Sequence, residues 1–312
     1  MRNPIKNAKE ALLHNRKHLL YAIFHRLSWM IPSDRLYLKW YYKLSMGKKL
    51  DLDQPTGFNE KLQWLKLYNR KPEYTMMVDK YAVKQYVADK IGEEYVIPTL
   101  KVWDKPGKID LSELPNQFVL KTNHDGGCNG IVVCKDKQKL DVKKAKRELR
   151  HSFYFRNPYL KAREWPYKNV KKCVFAEQYM EDAKTGELRD YKFFCFNGVP
   201  KILFVATERN KDCGGVKFDF FDMDFNHLNI INGHPWNNVP IEQPRSFDKM
   251  KELAAVLAEG IPHVRIDFYE VNGQPYFGEY TFSHMGGTGN FEPNEWNDIL
   301  GSWIKLPEKT IN

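Results

Sequence analysis

The 312-residue chain is poor in cysteine, and its five cysteines (Cys128, Cys134, Cys173, Cys195 and Cys213) never stand as a CxxC pair. This spacing excludes a zinc ribbon and a dithiol redox motif, and separated thiols in odd number fit a reducing compartment. Runs long enough to cross a bilayer are missing as well. The first apolar run, Leu19 to Ile31, is short and is interrupted by His25 and Arg26, which rules it out as a span. Two readings of it stay open: a basic amphipathic helix lying on a membrane surface, or a helix packed on the body with a solvated basic face. No signal peptide, internal repeat, low-complexity tract or Gly/Ser linker is visible. The expectation is a cytoplasmic protein, with peripheral contact to the inner membrane surface open to residues 1–50.

Apolar residues make up 42% of the chain and charged ones 28%, the balance of a folded protein. The net charge of +10 is unevenly spread. Residues 1–50 hold eleven Lys or Arg against Glu10 and Asp34, whereas the remainder holds 38 basic and 37 acidic residues. The basicity belongs to the N-terminus, so no nucleic-acid partner is expected.

Pro55-Thr56-Gly57 marks a turn after that segment. Apolar periodicity over 58–91 predicts helices, with Gly92 as a stop. Residues 51–115 thus read as a helical lead-in. After Pro115 the pattern changes to short strand-like runs at 117–123, 130–135, 172–180, 190–197 and 200–207. Asn197-Gly198 joins two of these as a hairpin. Residues 141–155 and 246–259 read as helices, the second with Ser246 as N-cap and Gly260 as stop. A last hairpin, His263–Val271 with Gln274–Phe282, turns at Asn272-Gly273. Helices set beside antiparallel strands predict an α+β fold.

Three segments carry chemistry. In the first, Lys121 ends a strand and Gly126-Gly127 opens the turn to the next, a pattern suited to backbone amides and a cation around phosphate. A tight hairpin with a surface lysine explains it as well, and no Walker loop is present. The second is Glu177-Gln178-Tyr179-Met180, closing an apolar strand that is either structural or able to meet an adenine edge. In the terminal hairpin, alternation puts Arg265, Asp267 and Tyr269 on one face and Phe277, Glu279 and Thr281 on one face of the partner strand. Magnesium with phosphate would use such a set, and so would a plain ion pair on a solvated sheet.

In this order the segments resemble the ATP-grasp superfamily. Arg265-Ile-Asp267-Phe and Glu279-Tyr-Thr281 are similar to the Arg-Val-Asp-Phe and Glu-x-Asn motifs of D-alanine–D-alanine ligases, with Thr281 in place of Asn. Val78-Asp79-Lys80, with Lys84 a turn later, looks like the superfamily's upstream phosphate lysine. Phe58-Asn-Glu60-Lys-Leu-Gln-Trp-Leu-Lys-Leu-Tyr, Arg163-Glu-Trp-Pro-Tyr-Lys, Asp190-Tyr-Lys192-Phe-Phe-Cys-Phe-Asn-Gly198 and Gly278-Glu-Tyr-Thr-Phe resemble TupA-like (teichuronopeptide biosynthesis) ATP-grasp proteins. Asp125 stands where the loop of that family would hold a small residue.

The resemblance implies a small lobe over 116–180 and a large lobe over 181–312, with ATP between them. It implies a ligase that phosphorylates a carboxylate and joins it to an amine, using ATP and Mg2+, in surface-polysaccharide synthesis. Its partners would be a carboxylate sugar or polysaccharide precursor and an amine. Carried onto this chain, Lys80 and Lys121 hold phosphates under the Gly126-Gly127 loop. Glu177, Gln178, Tyr179 and Met180 form the adenine hinge, and Asp190 meets the ribose. Asp267, Glu279 and Thr281 hold the metal, and Arg265 with Lys121 stabilises the transferring phosphoryl group. His284, Gly286 and Gly287 would border the acyl phosphate. The loop Arg163-Glu164-Trp165-Pro166 is open to a substrate-binding or a structural role. A glycosyltransferase using Asp222-Met-Asp224 is the rival, weakened because Asp219 to Asn226 reads as an acidic turn and early βαβ units are missing. A non-catalytic adaptor working through the basic N-terminus is the third.

The hairpin register tests the metal assignment. A two-residue turn pairs 271 with 274, and Asp267 and Glu279 would then point to opposite sides of the sheet. A shift by one residue, from a three-residue loop or a bulge, would set them directly opposite with Cβ atoms about 4.5–5.5 Å apart. The shifted register is expected, with Val264, Ile266, Phe268, Tyr280 and Phe282 sharing the buried face.

Overall fold

The computed structural model describes residues 19–309, except 25, 128, 185, 187 and 209–214. The readings placed on residues 1–18, Cys128 and Cys213 lie outside the described residues. Eight α-helices are described: α1 Asp34–Met46, α2 Phe58–Tyr68, α3 Glu73–Val78, α4 Val83–Ile91, α5 Val142–Phe155, α6 Pro158–Ala162, α7 Phe247–Leu257 and α8 Glu295–Trp303. Two antiparallel sheets carry the strands. The first has the order β1-β4-β2-β3, built from β1 Thr99–Trp103, β2 Phe118–Thr122, β3 Ile131–Cys134 and β4 Val174–Gln178. The second has the order β10-β9-β5-β6-β7-β8, from β5 Asp190–Phe196, β6 Val199–Thr207, β7 Lys217–Asp222, β8 His227–Leu228, β9 His263–Val271 and β10 Gln274–Thr281. The α+β expectation stands.

Three departures from the sequence reading have simple causes. Thr99–Trp103 lies in the stretch read as helical, yet it pairs antiparallel with β4 as an edge strand. Its five residues are mostly half-exposed, so they lack the apolar alternation that marks a strand. Asp219 to Asp222, read as part of a turn, is the end of β7, and only the residues after Asp222 turn. Asp222 Oδ1 accepts from the amides of Asp224 at 2.9 Å and Asn226 at 2.8 Å, so this carboxylate holds the turn closed. Ser246 stands at the N-cap of α7, but its hydroxyl donates to Glu270 at 2.5 Å instead of capping.

The large sheet is buried on both faces. Val264, Ile266 and Phe268 of β9 pack with Leu253, Ala254 and Leu257 of α7, and with Val83 and Val87 of α4. On the other face Phe194, Phe196 and Phe204 pack against α1 and α2 through Tyr37, Phe58 and Leu62. In the small sheet, Phe118, Leu120, Val174 and Ala176 face Ala145 and Leu149 of α5. By period-two alternation, Lys121, Phe175 and Glu177 then look the other way, toward the large sheet.

The terminal hairpin answers the register question in two parts. At the turn, Asn272 (φ 54°) and Gly273 (φ 85°) form a two-residue connection of the primed type, and 271 pairs with 274. That register runs as far as Phe277 opposite Phe268. Gly278 is then an extra residue, and beyond it Glu279 pairs with Asp267, Tyr280 with Ile266 and Thr281 with Arg265. The bulge therefore sets the two carboxylates opposite each other while leaving the Asn-Gly turn intact. It also moves Phe277 onto the apolar face with Phe268, contrary to simple alternation, and Val264, Ile266, Phe268, Tyr280 and Phe282 pack together as expected. A Cβ on residue 278 would lie 3.0 Å from the Asp267 carbonyl oxygen, which explains a glycine at the bulge.

Candidate active site

The charged face of β5 and β9 continues the aromatic one. Phe196 and Phe194 give way along β5 to Lys192 and Asp190, so one strand face supplies packing at one end and charge at the other. Arg265 grips Asp267 with two parallel hydrogen bonds, Nε to Oδ1 and an Nη2 bond to Oδ2, both 2.7 Å. The same Nη2 reaches Glu279 Oε1 at 3.3 Å and the Thr281 hydroxyl at 3.0 Å. Lys192 bridges Asp267 and Asp190, and Lys80 closes on Glu279. Burial opposes the negative charge of Glu279, but Lys80, Lys192 and Arg265 outweigh it and hold the carboxyl well below its ordinary range. Burial dominates at Asp267 and raises it, despite Arg265 and Lys192.

His284 stands behind this group. Its Nδ1 accepts from Arg265 Nη1 at 2.9 Å, and its Nε2 lies 2.6 Å from Asn232 Oδ1. Asn232 in turn donates through Nδ2 to the Asn290 carbonyl, which fixes the amide orientation and makes Nε2 the protonated nitrogen. Burial and the neighbouring Arg265 keep the ring neutral. Both ring nitrogens of His284, which the sequence reading set at the border of the acyl phosphate, are engaged within the protein, one of them by Arg265. Met285, Gly286 and Gly287 follow with φ of 48°, 63° and 70°. Their turn is clamped from α2: Gln63 donates to the Gly287 carbonyl at 2.7 Å, and the buried Lys66 ammonium donates to Gly286 at 2.6 Å and Ala162 at 2.9 Å. A Cβ on Gly287 would lie 2.5 Å from Gln63 Nε2, so the clamp requires glycine.

The small sheet presents a second cluster. Glu177 is paired with Lys121 and, at 2.9 Å, with Lys84. Burial opposes its ionisation, and the two lysines prevail, lowering its pKa. Val119 lies directly opposite Glu177, which makes Lys121 its diagonal neighbour on the same face. Glu177, read from the sequence as part of an adenine hinge, thus faces Lys84 and Lys121. The main-chain N–H of Gln178 donates to the Pro98 carbonyl at 3.0 Å, and the Tyr179 hydroxyl donates to Glu181 at 2.8 Å.

Asn123, fully buried, ties the clusters together. It donates to Asp79 at 2.7 Å and accepts from the Cys173 amide at 2.8 Å, and its carbonyl accepts from the Lys80 amide at 2.9 Å. Asp79 itself closes the turn that leads into α4 by accepting from the Tyr81 and Ala82 amides. In the loop after Lys121, Asp125 accepts from the Ser152 hydroxyl at 2.7 Å, anchoring the base of the Gly126-Gly127 turn to α5. This contact explains an acid where a small residue was expected.

A narrow cavity runs between the sheets, lined by Lys80, Lys84, Lys121, Glu177, Phe175 and Phe277 among others. A wider cleft shares Val96 with it and is lined by Pro98, Gln178, Met180, Gln274 and Tyr276. The structure therefore brings Lys80, Lys121 and Glu177 to one cavity and places Gln178 and Met180 on the adjoining cleft. Asp190 sits beside Asp267, linked to it through Lys192. Lys192 and Asn123 were not picked out from the sequence as site residues. Lys192 was legible, since Asp190 and Lys192 share a strand face; nothing in the sequence near Asn123 signals its three-way contact.

Magnesium fits the donor set. Asp267, Glu279 and Thr281 offer only hard oxygens, and Asp267 and Glu279 are cross-strand neighbours. Among the described residues no three His, Cys, Asp or Glu side chains form a self-contained cage. Two carboxylates are the kind of set that holds magnesium jointly with nucleotide phosphates.

Arg163 is structural. Its guanidinium donates to the Ser28 and Ile31 carbonyls at 2.8 and 2.7 Å and pairs with Asp34 at 3.3 Å. The next residue, Glu164, is half-buried, and Lys66, Lys161, Arg265 and Glu279 are the charges that act on it. Burial pushes its carboxyl up to about 7, against the pull of the three cations.

No curated protein sequence matches the chain. Among solved structures it is similar to D-alanine–D-alanine ligase from Helicobacter pylori, with 14% identity over 80% of this chain and 69% of that one (TM-score 0.44). The same enzyme from Bacillus anthracis, complexed with ATP, is 12% identical over 66% of this chain and 54% of that one (TM-score 0.38). N5-carboxyaminoimidazole synthetase from Staphylococcus aureus, complexed with ADP, is 15% identical over 75% and 53% (TM-score 0.41). The chain thus spans little more than half the length of the last two, and likenesses at this level carry no argument about activity. The sequence pattern of the TupA-like ATPgrasp family matches residues 60–305, most of the chain, and the protein belongs to that family.

Proposed function

We propose that the protein is an ATP-dependent carboxylate–amine ligase whose reaction takes place between the two sheets. The observation that carries this reading is the bulge at Gly278, which sets Asp267 opposite Glu279 beside Arg265 and across from Lys80 and Lys121. In the first half-reaction a substrate carboxylate oxygen attacks the γ-phosphorus of ATP, the bond to ADP breaks, and an acyl phosphate forms. In the second an amine attacks the acyl carbon, inorganic phosphate leaves, and the amine nitrogen loses a proton. Lys80 and Lys121 bind phosphate oxygens, each exchanging a carboxylate partner for phosphate, with the Gly126-Gly127 turn above them. Arg265, oriented by His284 and Asp267, meets the transferring phosphoryl group. Asp267 and Glu279, with Thr281 at their edge, would hold magnesium, which neutralises phosphate charge.

The wider cleft beside Gln178 and Met180 suits the base, with Tyr179 next to it. Asp190 acts with Lys192 on the metal side, and a ribose contact from it is less favoured. The turn at Gly286 and Gly287 borders the acyl carbon, held by Gln63 and Lys66. Glu164 is placed to receive the amine: it has no hydrogen-bonded or ion-paired side-chain partner among the described residues. Its raised pKa suits a group that takes a proton from an ammonium near neutral pH. The acid is a uronic acid of a cell-surface polysaccharide or its precursor, following the family. The glycosyltransferase reading is not favoured, because Asp222 is committed to its turn.

ADP release measured for uronic acids paired with amino acids or amino alcohols tests this reading. Release that needs both partners, and a Glu164→Gln variant that needs several-fold more amine for half-maximal rate, are expected. Turnover of UDP-sugars without ATP would contradict the reading.

A further inference from the structure

The described residues before Ile31 have apolar groups on two sides, and among the described residues only one side is covered. Between Leu19 and Met30 only His25, Arg26 and Ser28 are polar. Residues 19–24 are helical. Tyr21 and Phe24 turn inward, packing on the Tyr37 and Tyr41 rings of α1, and so dock this segment on the body. Arg163 fixes the following turn through the Ser28 and Ile31 carbonyls. Docking by that side leaves Leu19 (61% exposed), Leu20 (53%), Ile23 (46%), Trp29 (70%) and Met30 (59%) outward, and Trp40 (51%) is exposed on α1. A helix that is apolar all round needs apolar surroundings on each side, and among the described residues the body supplies only one.

We propose that this outward face inserts into the interfacial layer of an anionic lipid bilayer. The charge of the region supports that occupant: residues 1–50 carry eleven basic residues against two acids, and Lys43, Lys48 and Lys49 are exposed on or just after α1. Basic residues beside Leu, Ile and Trp are the composition of a helix lying in the plane of a membrane surface. Tryptophan side chains favour that depth. Among the described residues no helix is long and apolar enough to cross the bilayer, so the contact is peripheral. A second copy of this chain would have to bring the same positive charge to the face, which opposes self-association there.

The test uses the full chain and two vesicle preparations, phosphatidylcholine alone and phosphatidylcholine with phosphatidylglycerol, in co-sedimentation. The wild-type chain is expected to bind the anionic vesicles at least tenfold better than the neutral ones, and to lose most of that binding in 0.5 M salt. The triple variant Leu20→Ser, Ile23→Ser, Trp29→Ser should bind at least tenfold more weakly with an unchanged melting temperature. Equal or absent wild-type binding to the two vesicle types would overturn the proposal, whatever the variant does. So would a dimer by analytical ultracentrifugation that the triple variant dissociates while vesicle binding is absent.

Discussion

The charged cluster of the small sheet and that of the large sheet are wired differently. On the small sheet, Lys84 and Lys121 share one carboxylate, Glu177, so each lysine can leave without stranding a charge. On the large sheet, Arg265 and Lys192 are interleaved with Asp190, Asp267 and Glu279, each cation touching two carboxylates and Asp267 touching both cations. A shared acceptor lets a lysine change partners, as a phosphate ligand must. A mesh holds its members still, as a group aimed at a transferring phosphoryl must be held.

The largest expected difference follows from this wiring. Asp267→Ala leaves Arg265 and Lys192 short of a partner in a buried setting, which costs about 3–5 kcal/mol of stability. Lys121→Ala leaves Glu177 with Lys84 and should cost about 1 kcal/mol or less. Both should reduce ATP turnover on the order of 10²–10³-fold. Urea midpoints and ADP release measured side by side check the contrast, and equal midpoints would remove it.

Next in size is the bulge. Gly278→Val pushes a side chain into the Asp267 backbone and should lower stability by about 1–3 kcal/mol, with turnover falling alongside. Asn272→Ala, at the turn end of the same hairpin, should cost stability alone. Turnover that survives Gly278→Val with an intact fold would separate the carboxylate pairing from activity.

Acid sharpens the comparison further. Glu177 is held below its ordinary value in the folded protein, so its contribution is complete above the unfolded value of about 4.3 and is lost as pH falls through and below it. Asp267, raised by burial, acts in the opposite sense. The urea midpoint of the wild type should therefore drop more steeply below pH of about 4.5 than that of Glu177→Gln. Parallel curves would mean that Glu177 is not depressed. The smallest effect belongs to Thr281→Val, which removes one hydrogen bond to Arg265 and should slow turnover less than tenfold, about 1 kcal/mol or so.

Much of this was legible in the sequence because alternation and turn chemistry are local. Strands β2 to β6, the two Asn-Gly hairpins and helices α5 and α7 follow from patterns within a dozen residues. The carboxylate pair was legible too, through the demand that apolar and acidic positions each share a face. Its device was not. Asn272-Gly273 correctly signals a two-residue turn, and the correction to the register sits five residues away at Gly278, where a glycine in a strand has several readings. Thr99–Trp103 escaped because a half-exposed edge strand has no strong period. The contacts of Asn123 with Asp79, His284 with Asn232 and Lys66 with Gly286 escaped because each joins segments at least 44 residues apart.

The central claim is that the Gly278 bulge makes Asp267 and Glu279 one site for a divalent cation held with nucleotide phosphate. Calorimetric titration of ADP into the full chain, with and without magnesium, tests it without knowledge of the other substrates. Magnesium should tighten ADP binding to the wild type. Asp267→Asn and Glu279→Gln should each lose at least tenfold of that gain while keeping magnesium-free binding. If either variant keeps the whole magnesium gain, the two carboxylates do not act as one site.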